Sequence, residues 1–425
     1  NLGSASAAGT LQIDGKINTS SSTEALVLNA GTGNLTVGGA IGDTGAFTTI
    51  TIGGGSADGD ITLANIGAST NAAASGAVAV GNTATETLTL GGTVYNTNET
   101  QTYTAKTGGG NIDITGAATF TTSADNIEFA TSGVDLSANV TITTGTGTNI
   151  GDVDFGGAIE TDNGSRTLTI TSGAGDVTFS KAIGLTNSLG GLDVNGTAGD
   201  GDGDIIFTKA IGDTSAGVSG TTTVGNSATN QIRFLENTYT FGGGVTTFTT
   251  ATGDKIKLEK TAATTFTTAG TAINFDGGTI KLSDGSDLTV NSVGGAISIA
   301  AIGGASDETV TLNANDAANA NPDSTTETVT LGAVGDTSQT EIHNLTVSAD
   351  DGITLTGAIY TSDHASDGSK GDIVFNDAVK VNGTVVVDSE NGIITFTTSI
   401  DGNDGTNDDL TIDGGTGAIT LQAIG

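Results

Sequence analysis

The chain of 425 residues contains no cysteine and no tryptophan, a single proline (Pro322) and two histidines, and its 12 Lys plus Arg face 47 Asp plus Glu. Without Cys there is no disulfide, no thiol nucleophile and no Cys-based metal cluster. Zero Cys is common in bacterial secreted and surface proteins, though it does not prove the compartment. Near-absence of proline suits a continuous hydrogen-bonded ladder, in which Pro would remove a donor. A formal charge of −35 repels nucleic acid and anionic membranes, and it favours solubility and divalent cations. No apolar run approaches the roughly 20 residues of a membrane-spanning helix, so no membrane insertion is expected. Residue 1 is Asn and no signal peptide precedes it, which leads to the expectation of a processed form or a piece of something longer.

What is abundant is glycine, 68 residues of it, much of it inside a phrase that keeps returning. The phrase is Gly, a small or acidic residue, Ile or Val, any residue, Phe or Leu, two residues, then Ala-Ile-Gly. It reads Gly33 to Gly42, Gly151 to Ile159, Gly175 to Gly184 and Gly203 to Gly212, with looser copies at Gly59, Gly110, Gly352, Gly371 and Gly417. Self-similarity of this kind marks a repeat architecture. Between copies stand short alternating runs such as Leu168-Thr169-Ile170-Thr171, Leu288-Thr289-Val290 and Leu410-Thr411-Ile412. Their period of two is that of half-buried strands. No stretch has a helical period. Hydrophobic content is only 35%, but its concentration in these runs argues against disorder.

The Ile or Val of the phrase falls at 127, 153, 177, 205, 232, 256 and 273, giving spacings of 26, 24, 28, 27, 24 and 17 residues. Uneven lengths suit coils whose loops vary while their strands stay in register. Phe129, Phe155, Phe179, Phe207, Phe234, Leu258 and Phe275 keep the same phase. One coil per copy would stack these side chains about 4.8 Å apart. The expected fold is therefore all-β, a parallel β-helix or β-solenoid with coils of about 17–28 residues. It is read as one elongated domain over residues 1–425, because a solenoid grows by adding coils. Thr-rich runs such as Thr246–Thr250 and Thr264–Thr268 are read as outward-facing β-formers.

The Gly-Asp-Ile-x-Phe-x-x-Ala-Ile-Gly text with its Leu-Thr-Ile strands resembles the repeats of very large bacterial β-helical surface proteins. Filamentous-haemagglutinin-like adhesins and autotransporter passengers are the best known of these. The likeness covers nearly the whole chain and carries no family-defining site. It implies a right-handed parallel β-helix, export and a place at the cell surface.

The two ends read as halves of one repeat. Ile419-Thr420-Leu421-Gln422-Ala423-Ile424-Gly425 closes the phrase, and Leu11-Gln12-Ile13 resembles the strand that comes after it in internal copies. Neither end carries an obvious polar cap, and solenoids need capped ends. The expected partners are therefore copies of the chain end to end, or further sequence of a longer chain beyond both ends.

Chemistry-bearing constellations are few. His343 and His364 lie in dissimilar surroundings and read as solvated. Gly53–Gly55 and Gly108–Gly110 lack the Gly-Lys-Ser/Thr of a phosphate loop. The best ion candidates are two acidic turns, one carrying Asp200, Asp202 and Asp204 and the other Asp401, Asn403 and Asp404. Oxygen ligands at alternate positions with Gly between them suit calcium, while a solvated turn is the plainer reading. Lys255, Lys257, Lys260 and Lys281 crowd one region, and Lys181 and Lys209 share a phrase position; such a belt meets an acidic face of a neighbour, protects a strand edge or balances charge locally. The expected function is a structural subunit or segment of an extracellular fibre, sheath or giant adhesin, and not an enzyme. A module binding cell-surface glycan would need exposed aromatics along a groove. A polysaccharide-active enzyme would need paired carboxylates beside Arg166 or Arg233.

Overall fold

The computed structural model describes residues 9–54, 59–130, 132–162, 165–197, 203–305, 307–316, 327–335, 341–363, 368–403 and 408–425. Among them there is no helix, and the strands stack in parallel as a β-solenoid of about 15 turns. The chain divides into two compact units. The first comprises Asn1–Gly212, Gly217–Ser219 and Val224–Thr229; the second comprises Asp213–Ala216, Gly220–Thr223 and Asn230–Gly425.

One turn of the first unit shows how the sequence builds the coil. Ile127–Ala130, Gly133–Leu136 and Val140–Gly145 are its three strands. The chain then returns to Val153–Phe155, which pairs in parallel with Ile127–Ala130 so that Ile127 faces Val153 and Phe129 faces Phe155. Each strand alternates buried apolar and partly exposed residues, because the pleat sends one side chain inward and the next outward. A seven-stranded sheet of this unit runs Leu11–Ile13, Leu35–Val37, Ile61–Leu63, Thr87–Leu90, Asn111–Ile114, Gly133–Leu136 and Ile159–Thr161.

The repeated phrase serves two different strand positions of the coil. The copies at Gly33, Gly59 and Gly110 place Leu35–Val37, Ile61–Leu63 and Asn111–Ile114 in the seven-stranded sheet. The copies at Gly151, Gly175 and Gly203 place Val153–Phe155, Val177–Phe179 and Ile205–Phe207 in another stack. The phrase encodes a strand and its exit turn, which is less than a coil. This explains the short spacing of 17 counted in the sequence. Ile256 pairs with Ile280, 24 residues on, whereas Ile273 belongs to a neighbouring stack with Thr246 and Ile297. Coil lengths measured by strand pairing among the described residues run from 21 residues (Ile373 to Ile394) to 35 (Thr309 to Asn344), and the single bridge Ile342 to Thr361 spans 19.

Aromatic side chains fill the core. Phe155, Phe179 and Phe207 are each about 1% exposed and stack face to face. Ring centroids lie 5.5 Å apart for Phe155–Phe179 and 5.1 Å for Phe179–Phe207, with interplanar angles of 10° and 5°. The column continues to Phe129 and Tyr103 at 4.9 and 5.4 Å. In the second unit Phe234 is fully buried and meets Phe248 and Phe266 edge-on. The opening Gly of the phrase is fixed by the same stacking. A Cβ on Gly203 would fall 2.1 Å from the carbonyl oxygen of Gly175, and one on Gly175 would fall 2.4 Å from that of Gly151. At Gly184 a positive φ of 63° adds a conformational demand to a contact of 2.1 Å with the Gly217 oxygen.

The Thr runs are not wholly outward. Thr246, Thr250, Thr264 and Thr268 share the inward face with Phe248 and Phe266 and are buried, while Thr247, Thr249, Thr265 and Thr267 face out. The hydroxyl of Thr268 donates to the Thr271 carbonyl at 2.6 Å. Those of Thr246, Thr250 and Thr264 find no partner among the described residues. An unpaired buried hydroxyl is costly, so Thr264→Val should stabilise by about 1 kcal/mol. A lower midpoint in denaturant would mean that the hydroxyl is satisfied. Phe179→Ala should cost about 3–5 kcal/mol in the same measurement, because it opens a void between two stacked rings. An effect below about 1 kcal/mol would contradict the stacked core.

Candidate functional site

The groups that carry chemistry lie on the outer surface and in the turns, so the ladder that spaces the core also spaces them. The acidic residue after the opening Gly has a structural task. The Asp152 amide donates to Asn126 Oδ1 at 2.9 Å, the Asp176 amide to Asp152 Oδ1 at 2.9 Å, and the Asp204 amide to Asp176 Oδ1 at 2.8 Å. In the second unit Asn344 Oδ1 accepts from the Asp372 amide at 2.9 Å, and Asp372 Oδ1 accepts from the Ile393 amide at 2.7 Å. Each side chain thus caps the amide of the next coil where strand pairing begins. The sequence showed the acidic residue at this position but not its hydrogen bond. Its constant place behind a stacked Gly was the available signal.

The two acidic turns are only partly described. Asp200, Asp202 and Asp404 lie outside the described residues. Asp204 belongs to the amide ladder above, its own amide capped by Asp176. Asp401 stands opposite Lys380 in the ladder and accepts from Ser399 Oγ at 3.2 Å, and the Asn403 amide donates to the Val381 carbonyl at 2.8 Å. Among the described residues no group of three or more His, Asp or Glu is arranged to hold a metal ion. His364 also lies outside the described residues. His343, read from sequence as solvated, is only 7% exposed. Its Nδ1 lies 3.2 Å from the Ser362 carbonyl and its Nε2 lies 3.3 Å from Ser369 Oγ. Nothing in the local sequence signals this, because Ser362 and Ser369 lie one coil away from His343.

The arginines are bound by single carboxylates through two hydrogen bonds each. Arg166 donates to both oxygens of Asp162 at 3.0 Å, and Arg233 donates to Glu259 at 3.0 and 2.7 Å. All the aromatics but Tyr360 face inward. All 13 Phe are buried, as are Tyr95, Tyr103 and Tyr239. Tyr103 donates its hydroxyl proton to Gln101 Oε1 at 2.7 Å, and the Tyr95 hydroxyl accepts from the Gly92 amide at 3.0 Å. Burial pushes all three phenols up.

No protein-family model matches the chain, and comparison with curated proteins and with solved structures finds no match for it.

Carboxylates crowd the outer faces. Asp113, Asp154 and Asp276 are held above the ordinary carboxyl value, burial being the first cause in each. Asp135 adds to the rise at Asp113, as Asp152 does at Asp154. A carboxyl raised in the folded state binds its proton there at higher pH than in the unfolded chain. Its penalty is present above the folded pKa and is removed as pH falls toward 3.8. Glu259 works in the opposite sense: Arg233 lowers it, and its contribution is lost only as pH falls through that lowered value. These three carboxyls should therefore raise the melting temperature as pH falls from neutral toward 3.8. Asp154→Asn should raise it at neutral pH and flatten the rise. A melting temperature that falls over the same interval would contradict these assignments.

Proposed function

We propose that the chain is a structural subunit or segment of an extracellular bacterial fibre, sheath or giant surface adhesin, extended by end-to-end stacking of β-coils. The observation that carries this reading is the unbroken parallel pairing of similar coils, which at the last coil leaves core rows uncovered. Ile394 and Ile400 are 0% and 2% exposed because another coil covers them, and the residues paired with them in that coil, Ile419 and Ile424, are 44% and 69% exposed. The side chains occupy the same core rows; the difference is the presence of a covering coil. Leu421, 38% exposed, widens the apolar surface. A further coil, from a second copy or from further sequence, would cover these residues and complete the ladder. Each added coil contributes an apolar layer and a set of backbone hydrogen bonds, so the mechanism is mechanical.

Placement of nearly all aromatic residues in the core supports a structural role over glycan recognition, which needs exposed rings. The repeat text and the parallel solenoid together support the likeness to filamentous-haemagglutinin-like and autotransporter repeats. Export and a place at the cell surface are proposed on that likeness. The test is electron microscopy of purified native material with solution mass at micromolar concentration. Long assemblies are expected, and Ile424→Asp should shorten them or lower the mass. A stable monomer, indifferent to that substitution, would overturn the reading.

A further inference from the structure

Four of the chain's 12 basic residues stand on three neighbouring strands of the second unit. Arg233, Lys257 and Lys281 face one another across the ladders joining Gln231–Phe234, Lys255–Leu258 and Thr279–Leu282. Lys255 lies two residues before Lys257, on the same outward side. In all three strands the basic residues alternate with buried Ile, Leu or Phe, so their stems lie along the sheet and their charges reach its surface. Arg233 is held by Glu259, and Lys281 donates to the Gly304 carbonyl. Lys255 and Lys257 make no contact ion pair among the described residues. Beside them runs a groove of about 310 Å³, lined in part by Lys255, Thr279, Lys281 and Gly303.

The first unit carries the complementary pattern. Asp113, Asp135 and Glu160 face one another on consecutive strands of the seven-stranded sheet. Asn111 donates to both Asp113 and Asp135 at 2.5 Å. Glu160 is fixed by the amides of Leu185, Thr186 and Asn187 at 2.8–3.3 Å. These carboxylates are held in place by neutral donors, and the Asp113 carboxyl is raised first by burial and then by Asp135.

We propose that the row Arg233–Lys257–Lys281, with Lys255, docks side to side against the row Asp113–Asp135–Glu160 of a second copy. This surface is distinct from the coil ends and goes beyond end-to-end stacking. Both rows are rungs of parallel ladders, so both repeat at about 4.8 Å, and Lys257, Lys281 and Lys255 can meet the carboxylates in register while Arg233 keeps Glu259. Single exposed pairs contribute little, but a row in register forms a network. The net charge of −35 opposes contact at long range. At physiological salt the Debye length is about 8 Å, so that repulsion is screened while contact pairs persist.

The test is sedimentation of the full chain carrying Ile424→Asp, which removes the end contribution and leaves the lateral one. Self-association is expected at about 0.15 M salt and should be lost near 1 M. Lys257→Glu with Lys281→Glu should weaken it about tenfold or more, as should Asp113→Lys with Asp135→Lys. Mixing the two reversed proteins should restore association, which also shows that both are folded. Association unchanged by either reversal, or not restored on mixing, would overturn the proposal. So would binding of an added polyuronate that is lost on Lys257→Glu with Lys281→Glu while self-association stays unchanged; the row would then be a site for an acidic glycan. If Ile424→Asp changes nothing but the reversals do, end-to-end stacking fails and the lateral contact stands.

Discussion

Everything in this protein depends on the spacing of parallel strands, about 4.8 Å from one turn to the next. The spacing places each residue over its counterpart one coil away, so many positions become columns of like on like. For aromatic residues the column is favourable: Phe155, Phe179 and Phe207 stack nearly parallel at van der Waals distance. For the opening glycines it is compulsory, since no Cβ fits between Gly151, Gly175 and Gly203. For carboxylates it is unfavourable. Asp113, already raised by burial, is raised further by Asp135 in the next coil. The acidic surface is therefore both a set of backbone caps and a reservoir of repulsion.

Much of the fold was legible because the columns leave a periodic text. Alternation in Leu168–Thr171 reads directly as a strand, and the constant phase of Phe155, Phe179 and Phe207 reads directly as a core column. The coil itself was harder to read. The same phrase fills two strand positions, so Ile256 and Ile273 look like successive turns although they lie in different stacks. Thr246 and Thr264 were placed on the wrong side for a similar reason. Composition marks Thr as outward, but parity with Phe248 and Phe266 decides which Thr faces in. The burial of His343 was illegible because its partners Ser362 and Ser369 arrive from the neighbouring coil. The sequence signal for the basic row was real but incomplete. Crowding of Lys255, Lys257 and Lys281 was visible, while the alignment with Arg233 needed the register.

Functionally, the fold commits its residues in two directions. Inward positions are spent on stacking, and they take nearly every aromatic ring the chain has. Outward positions inherit the ladder's period, so charges come in rows and not in scattered patches. A surface organised in rows is suited to meeting another surface of the same period. The exposed core rows at Ile419 and Ile424 offer the same kind of match along the stack. In the proposed reading, both contacts would be met by coils built on the same ladder.

The most direct measurement of this account is X-ray diffraction from oriented native material. Coil-on-coil stacking continued from one copy to the next predicts a reflection near 4.8 Å along the long axis of the assembly. Assemblies with that reflection absent from the axis, or oriented across it, would contradict stacking of coils as the basis of assembly.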